Sequence, residues 1–248
     1  MNKVTRRSFV AGIGAASIVP AASALSEEAP APSSSPAPQS VQGPAPVLYL
    51  FFNASEAAFI EAACERLIPA DEHGAGALAA GVPNYLDKQL GGAWGAGERL
   101  YRSGPWTAGS ASQGYQLPFT PGELFHKALR AINRDLDSRG TPFAKMTAES
   151  QDAYLKSLEG GGTDLDGVPS AVFFGLLLQM TVEGFFSDPV YGGNRDMVAW
   201  RMIGFPGAYA DYYESIDRHG VKFEREPMSL GEDGQRHIHP DPNIPAHL

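Results

Sequence analysis

Cysteine is the scarcest residue type in this chain, because Cys64 is the only one among 248 residues. A covalently attached c-type haem needs a Cys-x-x-Cys-His site, an iron–sulfur cluster needs three or four thiolates, and an internal disulfide needs two. None of these can be built from one thiol. Cys64 falls on the apolar side of a predicted helix, so we interpret it as a small core residue; the alternative is a reactive thiol or a bridge to another subunit.

The sequence also lacks the motifs that mark nucleotide-binding and hydrolytic sites. Gly74, Gly76 and Gly81 come closest to a dinucleotide loop, but the third glycine is misplaced and a helix, not a strand, precedes them. There is neither a Gly-x-Ser-x-Gly elbow nor a His-Glu-x-x-His pair. We therefore predict no catalytic, cofactor-binding or metal-binding residue in this chain.

One acid/base cluster leaves an enzymatic alternative open. Asp71, Glu72 and His73 place two carboxylates beside an imidazole, a combination able to transfer protons in a self-sufficient enzyme. Adjacent residues rarely point at one spot, however, and a polar turn after Pro69 also accounts for them. Three histidines of the proline-rich C-terminal tail could bind a metal only adventitiously, because that tail supplies no rigid geometry: His237, His239 and His247.

Positive charge is scarce as well. The formal net charge is −9, and it becomes −12 without residues 1–24, which hold three basic residues and no acidic one. An acidic body argues against nucleic acid and anionic lipid head groups as partners.

Residues 1–24 have the three parts of an export signal: a basic start, an apolar run and a small-residue cleavage site. The stretch TRRSFV, with Arg6 and Arg7, is similar to the twin-arginine motif, in which two arginines are followed closely by a large apolar residue. An ordinary secretory signal with a chance arginine pair is the alternative. Because the twin-arginine route carries folded cargo, we expect a periplasmic protein that folds before export.

The remaining chain divides by composition into a tether, a body and a tail. Residues 25–46 contain six prolines among Ala, Ser and Gln, which predicts a disordered tether. Residues 47–220 have the size of one domain, and residues 221–248 are predicted to be an extended tail. No run of the body shows sustained strand alternation, so the fold class is predicted to be all-α: a single irregular helical domain with long Gly/Pro-rich connections, above all between residues 91 and 119.

Helix signals recur along the body. A capping-box pattern, Asn53 with Glu56, opens a first helix that Pro69 ends, and a shorter second helix carries Val82, Leu86 and Leu90. A third helix is predicted to begin after Thr120, with Pro121 and Glu123 in its first turn. A fourth is predicted to begin after Thr147.

The stretch from Pro169 to Gly207 concentrates the apolar mass of the chain. Between Val172 and Phe186 apolar residues cover nearly the whole circumference of a helix, so we expect it to be buried on all sides, as a central helix or one that faces a partner. At 15 residues it is too short for a bilayer, which needs about 20.

A helical hairpin is predicted to follow, with Asn194 as the N-cap of a second helix that carries Met197, Trp200 and Ile203. Its loop combines aromatic, glycine and charged groups, and we predict that the loop docks on a partner: Tyr191 or Trp200 as an aromatic anchor, Arg195 or Asp196 setting the register. The alternative for Trp200 is a plain core residue.

Several stretches together carry a family resemblance: the twin-arginine leader, FF at 51–52, RLIPAD at 66–71, QGYQLP at 113–118 and, most specifically, the run EGFFSDPVYGGN at 183–194 with GFPG at 204–207. They resemble the gluconate 2-dehydrogenase subunit 3 family, and the resemblance covers residues 1–24 and 48–219. Gly, Pro and aromatic residues recur in that last run in fixed order.

The resemblance implies a small, gamma-type subunit of a membrane-bound periplasmic dehydrogenase for sugars or sugar acids. In such complexes the large subunit carries FAD and oxidises the substrate, and a cytochrome c subunit with several haems passes electrons to quinone. The small subunit is thought to support folding and export of the flavoprotein, and it reaches the inner membrane only through its partners. A structural module of another oxidoreductase is the alternative. The residues of this chain do not identify the substrate, since specificity would lie in another chain.

Overall fold

The computed structural model describes residues 48–107, 109–110, 113, 116–209, 217–220 and 225–231. The predicted signal with Arg6 and Arg7, the tether 25–46 and most of the tail, including its three histidines, lie outside the described residues, so their assignments stay predictions.

Six α-helices account for the regular structure of the described residues, and no strand occurs among them. In chain order they are α1 Ala54–Leu67, α2 Val82–Leu90, α3 Pro121–Ser138, α4 Ala148–Glu159, α5 Ser170–Phe186 and α6 Val198–Ile203. Short 3-10 turns cover Phe143–Lys145, Pro189–Tyr191 and Arg195–Met197. The predicted helical class is confirmed. None of the helices in the described ranges is long and apolar enough to span a bilayer.

The helix starts lie where side chains can cap them. Asn53 Oδ1 accepts the Glu56 backbone N–H at 3.0 Å, and the Glu56 carboxylate accepts the Asn53 N–H at 3.1 Å. Thr120 and Glu123 repeat this reciprocal pattern at α3, and Thr147 caps α4. These bonds satisfy N–H groups that the first helical turn leaves without a partner, so the predicted starts of α1, α3 and α4 are confirmed.

Helices α1, α3 and α5 supply the centre of the core. Aromatic rings meet there: the Phe125 and Phe173 centroids are 5.2 Å apart, and those of Phe59 and Phe173 are 6.4 Å apart. Cys64 is fully buried, and its Sγ lies 3.5 Å from the Thr181 hydroxyl of α5. Cys64 is therefore a core residue, as predicted, and it offers no surface for a bridge to another chain.

A buried carboxylate of α2 fixes the start of the body. Asp87 accepts the backbone N–H groups of Leu50, Phe51 and Phe52 at 2.9, 2.9 and 3.0 Å. No sequence signal indicates this clamp, because a carboxylate in a short helix is expected to be solvated unless the N–H groups that donate to it are known.

Part of the predicted tail belongs to the folded body. Met228 is buried, its N–H donates to the Pro206 carbonyl at 3.0 Å, and its own carbonyl accepts the Ala208 N–H at 2.8 Å. Residues 225–231 thus form a segment that packs on the chain after α6, which corrects the boundary predicted at residue 220. A buried methionine between Pro227 and Ser229 forms no periodic pattern, so the sequence could not reveal this packing.

Candidate partner-binding surface

Helix α5 is buried on one side only. Its inner side holds Phe173, Leu177 and Thr181 in the core, whereas Leu178, Val182 and Phe186 keep 38%, 43% and 38% of their surface exposed. Of the two predicted alternatives, a central helix enclosed by its own chain is therefore wrong, and a helix that faces a partner stays a prediction. We call the exposed side the α5 outer face; it consists of Ala171, Gly175, Leu178, Val182 and Phe186.

The spacing of these residues makes them one continuous stripe. They follow at intervals of three or four residues, and a helix brings such positions to the same side. A contiguous exposed apolar stripe, unlike single exposed apolar residues, is typical of an interaction site.

A polar edge borders the α5 outer face on the side of α2. Gln179 Nε2 donates to Glu183 Oε1 at 2.7 Å, and the Tyr85 hydroxyl of α2 lies 3.4 Å from Glu183 Oε2. Gly184 lets the two helices approach, because a Cβ there would lie 2.8 Å from the Tyr85 ring. The Tyr85 hydroxyl stays protonated, since burial first and Glu183 second raise its pKa to about 12. An apolar centre with a hydrogen-bonded rim is the usual anatomy of a protein interface.

The hairpin after α5 differs from the prediction. Helix α6 has only six residues, begins after a 3-10 turn, and leaves Ile203 exposed. Asn194 lies in the left-handed region at φ 44°, and its side chain hydrogen-bonds to both sides of the hairpin. Its amide donates to the Ser187 carbonyl and its side-chain oxygen accepts the Ala199 N–H, both at 2.9 Å. Asn194 is therefore not the N-cap of α6, a position that Met197 holds, although its side-chain oxygen accepts an N–H of the first turn of that helix.

The hairpin loop presents its predicted docking residues to different degrees. Tyr191 is half exposed, and Arg195 and Asp196 are exposed. The loop backbone is fixed to α2 and the turn before it, because the Arg195 N–H donates to the Ala80 carbonyl at 2.8 Å and Asn84 Nδ2 donates to the Gly192 carbonyl at 2.9 Å. Their interface role stays a prediction, now on a loop with a defined position.

Trp200 is not available as an anchor in this conformation. It is 6% exposed, its indole N–H donates to the Phe186 carbonyl at 2.8 Å, and its ring meets that of Phe205 edge-on with the centroids 5.1 Å apart. Its assignment as an anchor is therefore corrected to the alternative, a buried packing residue. The indole body gains by burial, and its one polar atom is satisfied by the end of α5.

A buried carboxylate also fixes the start of the hairpin loop. Asp188 accepts the Val190 N–H at 2.9 Å, the Ser229 hydroxyl at 2.7 Å and the Leu230 N–H at 2.8 Å. The segment 225–231 is thereby held beside the loop, with Leu230 and Val190 both exposed.

The acid/base cluster forms an exposed turn. Asp71 Oδ1 accepts the backbone N–H groups of His73 and Gly74, and the side chains of Glu72 and His73 are 86% and 74% exposed with a 3.8 Å separation. The carboxylate of Asp71 therefore closes a turn, which is the simpler of the two interpretations. No group of three His, Cys, Asp or Glu side chains in the described part of the chain is arranged to hold a metal ion.

The thiol of Cys64 is not activated for nucleophilic or redox chemistry. Burial raises the pKa of Cys64 to about 12, and the hydrogen bond with Thr181 opposes this only in part. A thiol with such a pKa is neutral at physiological pH, whereas nucleophilic and redox cysteines react as thiolates.

The sequence left open which side of α5 is exposed, and nothing in it singled out Lys88, an exposed residue of α2 whose side chain adjoins Gly192. One signal was present: Gln179 and Glu183 lie one turn apart, and polar residues at that spacing mark where an otherwise apolar helix meets solvent.

Comparison with known proteins identifies the family. The family model described as Gluconate 2-dehydrogenase subunit 3 matches residues 54–207, which is more than half of the chain and spans every helix of the described structure. No curated protein and no solved structure matches the chain. The family description names one subunit of a dehydrogenase. The exposed apolar face of α5 agrees with a chain that contacts other subunits. The chain belongs to the gluconate 2-dehydrogenase subunit 3 family.

Proposed function

We propose that this chain is a small, non-catalytic subunit of a periplasmic, membrane-bound gluconate 2-dehydrogenase-type complex. Its partners are a large subunit that carries FAD and oxidises the substrate, and a cytochrome c subunit that carries haem c. The observation that carries the proposal is the uncovered α5 outer face on a chain whose family is named as one subunit of a dehydrogenase. Exposure of such an apolar face to water is unfavourable in free energy, and contact with a partner would bury it.

The side chains of the described residues support an accessory role. The Asp71, Glu72 and His73 cluster is spread over an exposed turn, and the Cys64 thiol is buried and neutral. The buried carboxylates of Asp87 and Asp188 are structural, since each accepts hydrogen bonds from backbone N–H groups. These groups hold the fold together, and we assign the chemistry of the complex to the large subunit.

Export is the second part of the role. The twin-arginine sequence at Arg6 and Arg7 addresses this chain to a route for folded proteins. A partner that lacks its own signal can cross the membrane bound to this chain, provided that the two assemble first. The small subunit would thus support folding of the flavoprotein, supply the signal for its export and bring it to the membrane-bound cytochrome.

Purification of the complex through an affinity tag on this chain tests the proposal. We expect a large subunit with the absorption spectrum of bound flavin, a haem-containing subunit, and dye reduction with a sugar acid, sugar or polyol. The mature chain expressed alone is expected to be helical and inactive. Turnover by that isolated chain, or a tagged chain that brings no flavin-containing subunit, would refute the proposed function.

A further inference from the structure

We propose that residues 225–231 form a strap that holds the hairpin loop in a strained backbone conformation, and that without this strap α6 extends backwards to Asn194 and the loop leaves α2. The strap thereby sets the position from which the loop docks on the large subunit. Only that last consequence rests on the proposed function, because the two conformations of the loop are properties of this chain alone.

The strain lies in the turn that joins the hairpin loop to α6. Asn194, Asp196 and Met197 have φ of 44°, 56° and 55°, in the left-handed region. Four non-glycine residues in the described part of the chain have a positive φ, and three of them are these neighbours. Left-handed backbone is unfavourable for residues with a Cβ, least so for Asn and Asp, and it persists only where the surrounding structure holds it. Contacts outside the turn must therefore keep it in this shape.

The local sequence favours a longer α6 than the one observed. Asn194 is a favoured N-cap residue, and Asp196 would place a carboxylate in the first turn, where the helix dipole favours it. Arg195 and Met197 are good helix formers. In the structure α6 begins only at Val198, and its N-cap, Met197, makes no side-chain capping bond. Such a disagreement between local preference and the observed backbone is expected at strained or functional sites.

The strap is fastened to the hairpin at three places. Asp188, at the start of the loop, accepts hydrogen bonds from the strap, and the backbone of Met228 bonds to the chain after α6. The third fastening reaches the strained turn, because Arg201 Nε donates to the Asp196 carbonyl at 3.1 Å and Arg201 Nη1 donates to the strap residue Glu226 at 2.8 Å. In an extended α6 this carbonyl would instead accept the N–H four residues further on. The Arg201 guanidinium thus takes the place of a helical hydrogen bond.

Extension of α6 would move the hairpin loop off α2. Asp196 and Met197 would each have to change φ by about 120° to become helical. The Arg195 N–H now donates to the Ala80 carbonyl at 2.8 Å, and in the first turn of a longer helix it would lose that partner. Tyr191 and Arg195 are predicted docking residues, so the strap keeps them in place before the partner binds. A loop already in position binds more tightly, because association does not have to order it.

The first experiment opens the strap in the full chain. Glu226→Ala combined with Ser229→Ala removes two strap side chains that bond to the hairpin, and amide exchange of Arg195 is followed by nuclear magnetic resonance. We expect that exchange to be at least about tenfold faster than in the wild type, because the amide loses its carbonyl partner. The matched control is Glu98→Ala with Ser103→Ala, at two exposed positions of the connection after α2, and it should leave the exchange unchanged.

The second experiment tests the strain at Asp196, whose side chain is exposed. Glycine adopts a left-handed φ freely and alanine does not, so Asp196→Gly should melt about 2–4 °C higher than Asp196→Ala. At Asp137, an exposed residue inside α3, the same two substitutions should have the opposite order, because glycine is the poorer helix former. Asp196→Gly added to the strap variant should also slow the Arg195 exchange again, since glycine favours the left-handed turn over the helix.

Binding then links the strap to the proposed function. The dissociation constant of the strap variant for the flavin-containing subunit should rise about threefold or more, by the reciprocal of the fraction of molecules whose loop stays on α2. The control variant should bind like the wild type.

Four results would contradict the inference. Wild-type exchange in the strap variant, equally fast exchange in its control, or equal melts of Asp196→Gly and Asp196→Ala would each overturn the strained, strapped loop. Wild-type affinity in a strap variant whose exchange is fast would overturn its role in docking. A wild-type chain that binds no flavin-containing subunit would contradict the proposed function instead, and the exchange and melting results would still decide whether the strap holds the loop.

Discussion

Removal of the Asp87 carboxylate should loosen the start of the folded body. Its two oxygens accept three consecutive backbone N–H groups, from Leu50 to Phe52, and Asp87 is itself buried. A single side chain therefore fixes the direction in which the chain enters the domain. In the variant Asp87→Ala all three donors lose their acceptor at once.

The expected loss of stability follows from where these donors lie. The Leu50 N–H can bond to water because Leu50 is exposed, but the Phe52 N–H is buried. An unsatisfied buried donor costs about 1–3 kcal/mol, and bonds to a charged acceptor are worth more than neutral ones, so we expect a total of about 2–4 kcal/mol. For a domain of this size that corresponds to a fall in Tm of about 5–15 °C.

The measurement is a thermal melt of the mature chain followed by far-ultraviolet circular dichroism. Asp87→Asn should fall between the wild type and Asp87→Ala, because its amide oxygen can still accept from Phe51 and Phe52. Asp137→Ala is the control, since Asp137 is an exposed residue of α3, and its effect should be within about 0.5 kcal/mol. An Asp87→Ala chain that melts at the same temperature as this control would show that the three hydrogen bonds contribute nothing to stability.

The remaining predictions concern Cys64, the only thiol. In the native chain it should resist alkylation at mildly alkaline pH and react fully once the chain is unfolded, because burial raises its pKa to about 12 from an ordinary value of 9.0; rapid labelling of the native protein would contradict this. Since the folded-state pKa is the higher one, the contribution of the neutral thiol to stability is complete below pH 9 and is lost as the pH rises towards about 12. The free energy of unfolding of the wild type should therefore fall more steeply over that interval than that of Cys64→Ala, and parallel curves would show that the thiol does not titrate differently on folding.

The helices were predictable because their signals are local. Asn53 with Glu56, and Thr120 with Glu123, lie three residues apart and form the capping boxes that their spacing indicates. The apolar side of α1 likewise places Cys64 in the core, as its periodicity predicted. Local hydrogen bonds and one-turn spacings are fixed by helix geometry alone, so they need no knowledge of the tertiary structure.

The candidate surface was predictable only in part, because its features depend on contacts far apart in the chain. Trp200 and Tyr191 are both aromatic residues of one hairpin, yet only the indole finds a carbonyl acceptor, at Phe186, and is buried. The apolar circumference of α5 could not show which side its own chain covers, since that depends on where α1, α2 and α4 pack. Likewise the role of Asp188 depends on Ser229 and Leu230, 41 and 42 residues further along the chain.

The most direct test of the accessory role is the location of the flavoprotein in cells that carry Arg6→Lys with Arg7→Lys. We expect both this chain and the flavin-containing subunit to stay in the cytoplasm, and periplasmic dehydrogenase activity to be lost while the two subunits still assemble. A variant with Lys3→Arg, which keeps the arginine pair, should export both normally. Normal periplasmic dehydrogenase activity in the double-lysine variant would contradict the claim that this chain carries its partner out of the cell.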